Sequence, residues 1–161
     1  MRALRGNRCR CCLSFSVRNN RMSEFDAAEN EFMAQALRLA ERGRYTARPN
    51  PCVGCVLVNG GRIVGAGWHQ KTGDAHAEIN ALKQAGKSAA GSTAYVTLEP
   101  CSHIGKTPPC VDALLDAKVV AVVIAMLDPN PKVSGAGVTA LEDAGIEVRV
   151  GLMQSEAHSI N

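Results

Sequence analysis

At 161 residues the chain has the size of one domain, and an apolar fraction of 46% is enough to bury a core without disulfide staples. No apolar run reaches the ~18–20 residues of a membrane-spanning helix, which excludes a helical membrane protein. The formal charge of +3 hides an asymmetry: residues 1–22 hold six arginines and no acid, leaving residues 23–161 at −3, a balance that argues against a broad phosphate-tracking surface for nucleic acid.

Residues 1–22 lack the continuous apolar stretch of a secretory signal. They read as a targeting peptide, a basic arm, or translated upstream sequence ahead of a start at Met22. The last is favoured, because Ser23 opens the first clear helix; residues 1–22 are then a basic extension without fixed structure and residues 23–161 the single domain. Of seven cysteines, three lie in the extension (Cys9, Cys11, Cys12) and four in the body (Cys52, Cys55, Cys101, Cys110). An odd count without a secretory signal argues against a disulfide framework and for a reducing compartment, the cytoplasm.

Ser23-Glu24-Phe25-Asp26 has the form of a capping box with Ser23 as N-cap, and Phe25, Ala28, Phe32, Met33, Ala36, Leu37 and Ala40 follow a helical period up to a stop at Gly43. Pro49-Asn50-Pro51 is a rigid connector. Val53–Val58 and Ile63–Trp68, joined by Asn59-Gly60-Gly61, predict a β-hairpin. Residues 76–85 predict a helix ended by Gly86, and Thr93–Leu98 a strand. Pro108-Pro109 suits the first helical position of a helix over 109–117. Val119–Met126 is almost wholly apolar, as in a strand buried on both faces. A DPNP turn at 128–131, a helix near 137–144, a strand over Ile146–Val150 and a further helical start complete the order. A hairpin followed by alternating helix and strand implies an α/β domain of three layers, α/β/α, around a mixed sheet.

The chemistry gathers around His76, Cys101 and Cys110. One imidazole and two thiolates form a soft donor set that selects zinc over magnesium or calcium. Each stands at or just before a predicted helix, whose N-terminal partial charge favours thiolate. Three protein ligands leave a fourth tetrahedral position for water, the arrangement of catalytic zinc. Glu78 lies two residues beyond His76. Residues two apart in a helix point to different sides, so the two share a site only if His76 is the cap. A structural zinc site with His103 or Cys55 as fourth ligand is the plain alternative, but it has no use for Glu78. Cys52 and Cys55, at odd spacing, fall on opposite faces of a strand, and Cys55 reads as a small core residue.

H-x-E with a later P-C-x-x-C is the signature of zinc-dependent nucleobase deaminases. Here His76-Ala77-Glu78 and Pro100-Cys101 match it, but eight residues separate the two cysteines instead of two. HAEINAL, TLEPCSHIGKTPPC, PNPCVGCVLV and AMLDPNPKVSGAG together resemble the deaminase domain of the bifunctional riboflavin-biosynthesis deaminase/reductase family, from about Phe25 to the chain end. That resemblance implies a cytidine-deaminase-like fold and one zinc held by His76, Cys101 and Cys110, with Glu78 as acid/base. It further implies hydrolytic deamination of 2,5-diamino-6-ribosylamino-4(3H)-pyrimidinone 5′-phosphate to 5-amino-6-ribosylaminouracil 5′-phosphate and ammonia. Asn50, His69, Ala75, His103 and Lys106 match positions that grip the pyrimidine, and Asp128 and Asn130 a loop near the ribose phosphate. His69 and Lys106 have plain alternatives as a strand-end surface residue and a solvated loop lysine; His158 reads as surface. The family's NADPH-dependent reductase domain is not expected within these residues, nor an NADP site. The implied partner is the small phosphorylated substrate, with neither nucleic acid nor membrane, and a homo-oligomer is allowed. The rivals are a deaminase of cytidine or of adenosine in tRNA, and a zinc-stabilised interaction module without catalysis.

Overall fold

The structure, a computed structural model, describes residues 25–103, 108–131 and 133–161. The expected extension over residues 1–22, Ser23 and Lys106 lie outside them. Helix α1 spans Ala27–Arg42. Its N-cap is Asp26, three residues later than the expected Ser23. Asp26 Oδ1 accepts from the Glu29 amide at 2.8 Å and Glu29 Oε2 from the Asp26 amide at 3.0 Å. This reciprocal box satisfies two donors that a helix start otherwise leaves open. Gly43 ends the helix as expected.

Strands β1 (Gly54–Asn59) and β2 (Arg62–Trp68) form the hairpin, with a bulge at Leu57/Val58. Helix α2 is Ala77–Ala85, stopped by Gly86, and runs into an unforeseen 3₁₀ turn at Gly86–Ala89. Then come β3 (Thr93–Leu98), α3 (Cys110–Asp116), β4 (Ala121–Met126), α4 (Ala136–Asp143), β5 (Glu147–Val150) and α5 (Gln154–Ile160). Pro109 caps α3 instead of occupying its first turn. Strand β4 begins two residues later than its apolar run, because the Val119 and Val120 amides are taken by Leu114 O and Ser92 O.

The sheet order is β2-β1-β3-β4-β5, antiparallel through β2, β1 and β3 and parallel through β3, β4 and β5. The period-2 alternation of strand side chains divides the core in two. Cys55, Leu57, Ala94, Val96, Val122 and Ile124 face α2, α3 and α4. Val56, Val58, Tyr95, Val123 and Ala125 face α1 and α5. This is the expected three-layer α/β/α arrangement around a mixed sheet.

Strand direction then places the chemistry. Gly54 pairs with Trp68, Cys55 with Val96, and Leu98 with Met126. The start of β1 and the ends of β2, β3 and β4 therefore meet at one edge of the sheet, the usual location of ligand sites in open α/β folds. Helix α2 settles close to β2 because Gly67 lacks a side chain; a Cβ there would sit 2.5 Å from Ala77 O.

Candidate active site

His76 is the N-cap of α2, with extended backbone (φ −67°, ψ 165°). Its imidazole thus leaves the helix axis before helical geometry sets in, as the His76/Glu78 spacing requires. Cys101 follows β3, and Cys110 is the first residue of α3. The Val111 amide donates to Cys101 O at 3.2 Å and the Cys110 amide to Cys101 Sγ at 3.3 Å, which ties the start of α3 to Cys101.

His76 Nδ1 lies 3.1 Å from Cys110 Sγ and 3.6 Å from Cys101 Sγ, and the three donor atoms fall within 4.8 Å of one another. A tetrahedral zinc with ordinary Zn–N and Zn–S bonds spaces N and S by about 3.6 Å. The donor set therefore fits zinc. A hydrogen bond from the Cys110 side chain holds Cys101 down at about 4, and that contact drives Cys110 up. The hydrogen bond to Cys101 raises His76.

Glu78 is 3% exposed, and burial pushes its carboxyl up to about 7. At that value it can both accept and deliver a proton near neutral pH. Glu78 lines a 230 Å³ pocket together with His76, Cys101, Asn50, His69, His103 and Asp128. The structure thus brings together most of the residues singled out from the sequence. Ala75 contributes only its carbonyl, which accepts from His69 Nδ1 at 3.3 Å and from Asn80 Nδ2 at 3.2 Å. Asn130 is not among the pocket-lining residues; its amide donates to Asp128 Oδ1 at 2.8 Å. His103 lines the pocket but is exposed, and Cys55 is buried in the core; neither joins the donor group. His158 is exposed, as expected.

His69 is 3% exposed, which rules out the surface alternative. A carbonyl only accepts, so Nδ1 carries the proton toward Ala75 and Nε2 is left bare. Asn50 Nδ2, 3.1 Å away, then donates to Nε2. This orients the Asn50 amide, leaving Oδ1 and a second N–H for a ligand. Glu99, overlooked in the sequence, also lines the pocket at 6% exposure. Its only sequence signal is an acid at the end of an apolar strand.

Fold and donor set together define a zinc deaminase. The chain belongs to the cytidine and deoxycytidylate deaminase family, whose zinc-binding region matches residues 26–126. Within that family it has the deaminase domain of the RibD type. It is 60% identical over 130 residues to the riboflavin biosynthesis protein RibD of Escherichia coli K12, covering 81% of this chain but 35% of that protein. It is 55% identical to the diaminohydroxyphosphoribosylamino-pyrimidine deaminase of Buchnera aphidicola subsp. Schizaphis graminum, covering 81% of this chain and 88% of that enzyme. A solved structure of Acinetobacter baumannii RibD superposes with a TM-score of 0.82 at 52% identity, over 83% of this chain and 38% of that one. The chain thus spans about a third of the length of the RibD relative from Escherichia coli. Among the described residues, no helix is long and apolar enough to cross a membrane.

Proposed function

We propose that the chain hydrolytically deaminates 2,5-diamino-6-ribosylamino-4(3H)-pyrimidinone 5′-phosphate, giving 5-amino-6-ribosylaminouracil 5′-phosphate and ammonia. The observation that carries this reading is the buried Glu78 carboxyl in one small pocket with His76 and Cys101, two of the three donors. The likeness to the Buchnera deaminase over most of that enzyme's length supports the choice of substrate. His76, Cys101 and Cys110 would hold zinc, which when bound supplies Lewis-acid activation of a water.

Glu78 then accepts a proton from the attacking water as the new O–C2 bond forms. It passes that proton to the ring nitrogen and then moves the proton of the new C2 hydroxyl to the 2-amino group, so that the C2 carbonyl forms, the C2–N bond breaks and ammonia leaves. Asn50, aimed by His69, offers an acceptor and a donor to the ring edge. A neighbouring hollow of 430 Å³ shares Asn50, Pro51, Leu98 and Asp128 with the pocket and is lined by Arg44 and Arg48. It offers the ribose phosphate room and positive charge. The same reading assigns residues 23–161 to one deaminase domain working in the cytoplasm.

The test is ammonia release from the ribosylaminopyrimidinone phosphate, beside cytidine, its 5′-phosphate and tRNA, with and without a chelator. Chelator-sensitive release from the first substrate alone is expected. Turnover of cytidine or tRNA in its place would overturn the substrate assignment, and full activity after complete zinc removal would overturn the mechanism.

A further inference from the structure

Helix α4 begins without a cap of its own. Its N-cap is Gly135, in the left-handed region (φ 83°), with no side chain to meet the open amides of the first turn. Those amides are met from 36–39 residues away. Glu99 Oε2 accepts from the Gly135 amide at 2.9 Å and from the Asp128 amide at 3.1 Å. Its Oε1 accepts from the Gly137 amide at 2.8 Å, with a longer contact to Val138 at 3.4 Å. The Glu99 backbone amide also donates to Met126 O at 3.0 Å.

One buried carboxylate thus ties both ends of the β4–α4 loop to the turn that delivers Cys101. That loop carries Asp128, which lines the pocket and whose Oδ1 holds the Asn130 amide. Inside the loop, the Asn130 carbonyl accepts from the Val133 and Ser134 amides. The loop thus has internal hydrogen bonds, and Glu99 ties it to the turn that precedes Cys101.

We propose that Glu99 is a positioning residue: its carboxylate holds the Asp128–Gly137 loop in register with the Glu99-Pro100-Cys101 turn, so that Asp128 meets the substrate at a fixed distance from the metal donors. Glu99 is not one of the three metal donors, and both its oxygens are engaged by backbone amides. Its effect is on substrate affinity, and it operates within the deaminase reading given above. Both oxygens must act as acceptors, because four backbone N–H groups converge on them. A glutamine of the same shape has one oxygen and one NH₂, and the NH₂ necessarily confronts a pair of donors.

The experiment compares zinc-loaded wild type, Glu99→Gln and Glu99→Asp. Three readouts are used: zinc per chain, hydrogen exchange of the 128–138 amides, and separate KM and kcat for the pyrimidinone phosphate. Glu99→Gln is expected to keep one zinc per chain and to speed exchange at 128–138 by at least tenfold. Its KM should rise at least tenfold with kcat within about threefold of wild type. Glu99→Asp keeps two anionic oxygens on a shorter stem and should fall between. Loss of zinc, or a fall in kcat at unchanged KM, would overturn the proposal. So would faster exchange with KM unchanged, which is what a merely structural role predicts. If Glu99→Gln does not fold, the Glu99→Asp values decide by the same criteria. Absence of deamination by wild type would sink the functional reading instead. Exchange at 128–138, with and without the pyrimidinone phosphate as probe, needs no turnover and still decides Glu99: ligand protection must be present in wild type and weakened in the variants.

Discussion

Replacing Glu78 with glutamine removes proton transfer while keeping the shape of the site. The two side chains have nearly the same volume, and Glu78 is 3% exposed, so the variant keeps the packing and the three donor atoms. General acid–base catalysis contributes roughly 10²–10⁴-fold. Turnover of the pyrimidinone phosphate should therefore fall at least ~100-fold, with zinc still at one per chain by metal analysis. The same burial predicts an opposite effect on stability. A carboxyl raised from 4.5 to about 7 by desolvation destabilises the fold by on the order of 3 kcal/mol once it is ionised. The sign follows from linkage. Below about pH 4.5 the folded and unfolded chains both hold the proton and the penalty is absent; it grows as pH rises and is complete above about pH 7. Chelator-treated Glu78→Gln should therefore be more stable than equally treated wild type at pH 8, and the difference should vanish near pH 4. Urea denaturation at the two pH values measures this. Substantial turnover in the variant would remove Glu78 from the chemistry. Equal stability at pH 8 would show that the carboxyl is not desolvated as its burial implies.

Cys110→Ser removes one of three donors and should abolish stoichiometric zinc binding together with activity, as read by metal analysis and ammonia release. Asn50→Asp replaces the donor facing His69 Nε2 by a second acceptor; KM should rise at least ~10-fold with zinc retained, and an unchanged KM would detach this pair from substrate binding. Gly54→Ala would place a Cβ 1.9 Å from Ala36 O and 2.8 Å from the Ala40 amide, forcing α1 off the sheet. Overpacking of this kind costs roughly 1–3 kcal/mol, a Tm fall on the order of 5 °C by calorimetry.

Some of this molecule was legible without any tertiary information. The helices and strands follow from apolar period and from glycine stops such as Gly43 and Gly86, all of which act within a few residues. The placement of His76 at a helix cap was equally local, since inside a regular helix a histidine and a glutamate two apart point to different sides. The soft donor set of His76, Cys101 and Cys110 pointed to zinc, and resemblance in the surrounding motifs to a pyrimidine phosphate. One local reading fell three residues short: Ser23 has the form of a capping-box head, but Asp26 caps α1 in a reciprocal pair with Glu29.

The tertiary structure decided what depends on partners far apart in the chain. For His69 the sequence leaves a pyrimidine-gripping role, implied by resemblance, beside a surface reading, until the Gly54–Trp68 pairing brings it against Asn50 and the Ala75 carbonyl. Glu99 looks like an ordinary acid before a proline, because the amides it caps belong to a helix that starts 37 residues later. Four strand ends meet at one edge only through the antiparallel–parallel order of the sheet. Local propensity can specify an element and its ends, but hydrogen bonds between distant segments have no periodic signature. The inner wall of the pocket therefore emerged only once the sheet had closed.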